Sequence, residues 1–128
     1  MRVLALDYGA ARTGVAVSDA TGTIARPLGI VERAASETGL AEVRALVQEH
    51  DAERVVVGMP LTLRGEHGAQ AVETDAFVEA LRATVGIPVE TYDERFTTAL
   101  AARGGGDADE DARAAAHLLE SYLHGLSR

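Results

Sequence analysis

The sequence predicts an α/β fold, a mixed sheet with helices on both faces. Short apolar runs of strand length, Val3 to Leu6, Val15 to Val17 and Val55 to Val57, are rich in β-branched residues. From residue 37 onward such runs alternate with longer stretches whose apolar residues recur at helical spacing. The first three strands, by contrast, are separated only by turns. The expected order is therefore βββαβαβα followed by a final helix, and helical crossovers between strands imply parallel neighbours joined right-handedly.

The first strand, Val3 to Leu6, is continuously apolar, as a strand buried on both faces must be, and ends on the carboxylate of Asp7. Gly9 and Gly14 bracket a turn of small residues that carries one cation, Arg12, before Val15 to Val17 returns as the second strand. Thr21-Gly22-Thr23 makes the next turn. Ile24 to Val31 reads as a third strand, and Pro27 marks it as an edge or an irregular one. A helix follows from about Glu37 to His50, with Leu40, Val43, Leu46 and Val47 on one stripe and Ser36 as N-cap.

Val55 to Val57 is a buried strand that stops at Gly58-Met59-Pro60. Leu61 to Gly68 reads as a loop. A second helix runs from Ala69 to Val85, with Val72, Ala76, Phe77, Ala80 and Leu81 as its stripe and Gly86 at its C-cap. Ile87 to Tyr92 is a fifth strand, at the sheet edge because of Pro88. A short helix is expected from Thr98 to Arg103. Gly104-Gly105-Gly106 then interrupts regular structure. The last helix runs from about Glu110 to Leu126, with Ala112, Ala115, Ala116, Leu119, Tyr122, Leu123 and Leu126 on its apolar side.

The 128 residues suit one domain, 1–128, and no internal repeat appears. With 47% hydrophobic and 25% charged residues the composition is that of a globular protein. The absence of cysteine excludes disulfides and cysteine-ligated zinc. The N-terminal apolar run is too short for a signal peptide, and no run approaches the ~20 apolar residues of a membrane span, so the expectation is a cytoplasmic protein without membrane contact. A net charge of −8 argues against a broad basic face for nucleic acid but leaves room for a local one.

Three acidic points stand out: Asp7 at the end of the first strand, Asp93-Glu94 after the last, and Asp111 in the first turn of the final helix. Two-metal phosphodiester hydrolysis needs carboxylates from separate elements converging on ions about 4 Å apart, and Mg²⁺ and Mn²⁺ favour such oxygen ligation. Each acid also has a structural reading. Asp7 suits a turn, Asp93 suits a cap, and Asp111 suits the positive end of the helix dipole. Spacing alone does not bring the three together.

The motifs do. Asp7-Tyr8-Gly9 with Arg12 and Gly14, Val57-Gly58-Met59-Pro60-Leu61, Asp93-Glu94-Arg95-Phe96-Thr97-Thr98, and Asp111 followed by Ala114-Ala115 and Ser121-Tyr122-Leu123 occur in this order. In them the chain resembles, nearly end to end, the YqgF/RuvX family of nucleases. The resemblance implies an RNase H-like sheet in the order 3-2-1-4-5 with the first three strands antiparallel. It implies metal-dependent hydrolysis of nucleic acid, in 5′-end processing of pre-16S ribosomal RNA or in Holliday-junction resolution by a homodimer. The substrate is then pre-rRNA or branched or single-stranded DNA.

Carried over position by position, Asp7, Glu94 and Asp111 are the catalytic acids and the ligands of Mg²⁺ or Mn²⁺. The last strand lies two strand spacings, about 9.5 Å, from the first, so Glu94 must lean inward, and Asp93 stands as the alternative ligand. Arg12 and Arg95 are expected at phosphate, with an internal salt bridge as the other reading of each. Thr97 and Thr98 cap and orient, and Arg64 in the loop after the fourth strand is a further substrate contact. Tyr8 and Tyr92 adjoin the acids, and core packing is the favoured reading over base stacking. Many family members carry a basic loop before the final helix, where this chain has Gly104-Gly105-Gly106-Asp107-Ala108-Asp109-Glu110.

Two other classes compete. Actin-like and sugar-kinase-like ATPases share the strand-Asp-Gly opening, but they duplicate the fold and need a second phosphate loop that this chain has no length for. A non-catalytic nucleic-acid-binding module of the same fold fits the acidic chain.

Overall fold

The computed structural model describes residues 1–60, 68–93 and 108–126. The elements are β1 (Val3–Asp7), β2 (Arg12–Ser18), β3 (Ala25–Glu32), α1 (Glu37–Glu49), β4 (Arg54–Met59), α2 (Ala69–Val85), β5 (Val89–Asp93) and α3 (Ala108–Leu126). The expected short helix from Thr98 to Arg103 and most of the loop after Pro60 lie outside the described residues. The five strands form one sheet in the order β3-β2-β1-β4-β5. β1 pairs antiparallel with β2, and β2 with β3, while β4 runs parallel to both β1 and β5.

Alternation along the strands sorts the core into two layers. Leu4, Leu6, Val15, Val17, Val55 and Val57 pack with α1 and α2, where Val43, Phe77 and Leu81 are fully buried. Val3, Ala5, Ala16 and Val56 pack on the other side with Ala115, Leu118, Leu119 and Tyr122 of α3. The α3 side is built from small residues, so this helix comes close to the sheet. At Gly14 an added Cβ would stand 1.9 Å from the Asp111 carbonyl oxygen and 2.5 Å from its carbon. Only glycine permits that approach.

The edges follow the sequence expectations. β3 is an outer strand and is irregular at Pro27: Val15 pairs with Gly29 but Ala16 with Pro27, which leaves Leu28 as the extra residue of a bulge. β5 is the other edge and starts after Pro88 rather than including it. Its Val89 carbonyl accepts from Nε and Nη2 of Arg82, at 3.3 and 3.0 Å, so a helix side chain covers an edge acceptor. Ser36 caps α1 by accepting from the Gly39 N–H at 3.0 Å, and Gly86 ends α2 in the left-handed region at φ 70°.

Two apolar stripes differ from expectation. In α2 the buried residues are Ala71, Thr74, Phe77, Val78, Leu81 and Val85, while Val72 is 61% exposed. Thr74 can occupy the inward face because its hydroxyl donates to the Gln70 carbonyl at 2.9 Å, and that rotates the stripe away from Val72, Ala76 and Ala80. In α3, Leu118 and Ala114 are buried, whereas Leu126 is half exposed at the helix end.

Replacing Gly14 by Ala will destabilise the protein by about 2–3 kcal/mol, as overpacking against immobile backbone does. Gly125→Ala in the same helix system, where an added Cβ meets nothing within 4 Å, will be neutral or stabilising by up to about 1 kcal/mol. Urea-denaturation midpoints measure both. Ser36→Ala will lower stability by about 1 kcal/mol through the lost cap, read in the same way.

Candidate active site

Asp7 is the last residue of β1, at the carboxyl end of the central strand, where α/β sheets place their chemistry. It shares parity with Val3 and Ala5, so it lies on the α3 side, and it is only 9% exposed. Its cross-strand partner is Gly14. Because Gly14 also receives the Asp111 backbone, Asp7 and Asp111, 104 positions apart in the chain, become neighbours of the same glycine on one face of the sheet. Oδ1 of Asp7 and Oδ2 of Asp111 are both fully shielded from solvent.

Arg12 opens β2 on this same face, two residues before Gly14. Its Nε lies 2.9 Å from Asp111 Oδ2. The N–H is not directed at that oxygen, which has no aligned hydrogen bond, so the contact is a charge pair. Arg12 thus makes an internal salt bridge. Thr13, fully buried, closes the turn between Asp7 and Arg12: its Oγ1 accepts from the Gly9 N–H at 3.4 Å and its hydroxyl donates to the Gly9 carbonyl at 3.3 Å. Neither Thr13 nor the packing role of Gly14 was singled out from the sequence. A polar residue followed by glycine just before an apolar run was the available signal.

The tyrosines beside the acids belong to the core. Tyr8 stacks on Phe77 with ring centroids 4.4 Å apart, and its phenol titrates above the usual range because it is buried and because Glu73 is near. Tyr92 meets Tyr122 edge-on at 5.8 Å and donates to the Ser121 carbonyl at 3.3 Å. At the far rim Arg54 donates to the Tyr122 hydroxyl at 2.7 Å, and that hydroxyl donates to Glu90, tying β4 and β5 to α3.

Asp93 pairs with Met59 and shares the parity of Val89, which packs in the α1 and α2 layer. That is the face opposite Asp7, so the strand alternation disfavours Asp93 as a third ligand. Glu94, Arg95, Thr97, Thr98 and Arg64 lie outside the described residues. Among the described residues, no three acidic, histidine or cysteine side chains gather as a metal cluster. The two shielded carboxylate oxygens, on elements that meet at Gly14, are nonetheless of the donor type a hard cation takes, and one of them already stands against a positive group.

Acid lies on both faces of the sheet: α3 carries Asp109, Glu110, Asp111 and Glu120 against Arg113. α1 and α2, on the face away from Asp7 and Asp111, expose Glu37, Glu42, Glu49, Glu73, Asp75 and Glu79 against only Arg44 and Arg82. At the candidate site's rim stands a further exposed cation, Arg33, held at φ 45° with its N–H donating to the Ala11 carbonyl at 3.0 Å. Nothing in the sequence marked it.

The fold has close counterparts. RuvC of T. thermophilus, solved in complex with a Holliday junction substrate, superposes with a TM-score of 0.62 over 99% of this chain and 96% of that one, at 22% identity. This is the RNase H-like sheet. Among sequence relatives, a protein of Chloroflexus aggregans is 48% identical over 77% of this chain and 70% of its own length. One of Anaeromyxobacter sp. is 40% identical over 98% of both. Each carries the name "Putative pre-16S rRNA nuclease". The profile of the family described as "RuvX: Holliday junction resolvase" matches residues 1–125, a span that takes in Asp7, Arg12, Gly14 and Asp111 together, and the chain therefore belongs to the RuvX family.

Proposed function

We propose that this chain, as a single domain over 1–128, is a divalent-metal-dependent nuclease that hydrolyses phosphodiester bonds in 5′-end processing of pre-16S ribosomal RNA in the cytoplasm. The observation that carries the reading is the meeting of Asp7 and Asp111 on one face against Gly14. The naming of the relatives supports the substrate. Among the described residues no helix is long and apolar enough to cross a membrane.

In this reading Asp7, Asp111 and Glu94 hold Mg²⁺ or Mn²⁺, with Asp93 the less favoured alternative to Glu94. Bound there, the cation supplies Lewis-acid stabilisation of the phosphoryl oxygens and acidifies water. The chain's own residues do the rest. Gly14 and the close approach of α3 fix the spacing of the carboxylates. Burial sets those carboxylates in a medium where charge interactions are strong. Arg12, Arg95 and Arg64 offer planar guanidinium groups to phosphate, and Thr97 and Thr98 orient the strand.

A second reading, junction resolution, is favoured by the family description. It requires a symmetric homodimer that presents two sites to opposite strands.

Purified protein with Mn²⁺, offered labelled precursor RNA, single-stranded DNA and four-way junctions, will cut the precursor RNA preferentially, and EDTA will stop it. Preferential junction cleavage by a dimer would replace the first reading with the second. Asp7→Asn and Asp111→Asn will each lower the cleavage rate on the order of 1000-fold, the several kcal/mol that a positioned cation supplies, with unfolding midpoints close to wild type. Cleavage by Asp7→Asn at the wild-type rate would overturn the site.

A further inference from the structure

We propose that Arg12 is a displaceable counter-ion: it neutralises Asp111 in the metal-free protein, yields Oδ2 to an incoming divalent cation, and is thereby released toward a substrate phosphate. This rests on the nuclease reading above and assigns one residue two successive positions within it.

Four observations lead there. The oxygen that Arg12 touches is fully shielded from solvent, and a carboxylate oxygen so enclosed requires a positive neighbour. The neighbour it has is a guanidinium at 2.9 Å whose Nε–H is not aimed at it, so this contact supplies charge without the directional bond of an aligned pair. A guanidinium and a divalent cation on one oxygen would repel at close range, so the two compete for Oδ2. The Asp111 backbone lies in close contact with Gly14, whereas Arg12 stands at the start of β2 with its side chain 34% exposed.

The consequence is linkage. Cation binding frees a phosphate contact, and phosphate binding to Arg12 removes a competitor for the cation site, so each ligand favours the other through one side chain.

Calorimetric titration with Mn²⁺, without nucleic acid, tests the first half on wild type, Arg12→Gln and Arg12→Lys, each checked for a wild-type-like unfolding transition. Arg12→Gln will bind Mn²⁺ at least about fivefold more tightly than wild type, the lower range of ordinary coupling. Arg12→Lys, which keeps the charge, will stay near wild type. A merely supporting Arg12 would give weaker binding in Arg12→Gln. That result, or unchanged affinity, overturns the proposal. If wild type shows no Mn²⁺ binding that Asp111→Asn abolishes, the metal-site reading falls and takes this proposal with it. If that binding is present and Arg12→Gln matches wild type, only the exchange fails.

The second half is read from fluorescence anisotropy on a hydrolysis-resistant phosphorothioate strand. With Mn²⁺, Arg12→Gln will lower the slope of log affinity against log salt by about one, the loss of one phosphate contact. Without Mn²⁺ its slope will equal that of wild type. A slope loss of the same size in both conditions overturns the exchange, as does no loss in either.

Discussion

The missing side chain at Gly14 is the constraint on which the rest depends. A strand carrying any larger residue there would hold α3 away from the sheet, and the carboxylate of Asp111 would move off with the helix. With glycine, the first turn of α3 lies directly on β2, one strand from Asp7. The small residues that continue this layer, Ala5, Ala16, Ala112, Ala115 and Ala116, keep the helix close along its length. On the other face the spacing is set by bulk instead, with Phe77, Leu4, Leu6 and Leu81 filling a thicker layer. The sheet is thus asymmetric by design of its side-chain volumes, and the chemistry sits on the thin side.

Close packing of acids has an electrostatic price, and the structure meets it locally. Asp111 is paired with Arg12, and its place in the first turn of α3 sets it at the positive end of the helix dipole. The neighbouring Asp109 and Glu110 share that end. Meanwhile much of the chain's negative charge is spread over exposed positions on α1 and α2, where water screens it. The rim that carries Asp7, Arg12 and Arg33 also holds Asp109 and Glu110, so its cations work against local acid.

Most of the fold was legible because period and punctuation agree. Val3 to Leu6 could only be a doubly buried strand, and Ser36, Gly86, Pro27 and Pro88 marked ends and edges that the structure places within a residue or two. The stripe of α2 was misread because hydropathy ranks Val72 above Thr74, whereas a threonine that bonds back to its own helix buries without an unmet hydroxyl. The pairing of Asp7 with Asp111 was beyond any spacing argument. It depends on a sheet register and a helix contact made across nearly the whole chain, and only the family motifs pointed to it. The salt-bridge partner of Arg12 was out of reach for the same reason, since it arrives from the far end of the chain.

That separation has a consequence for when the site exists. β1, β2 and β3 are joined by short turns, so the hairpin carrying Asp7 and Arg12 is made of local contacts that form early. Asp111 is supplied by the final element. A chain still emerging during synthesis can hold the meander with Asp7 before Asp111 has been made. The carboxylate pair is completed only when the last helix docks, so assembly of the site is a readout of the finished fold, and half-made molecules carry no reactive centre.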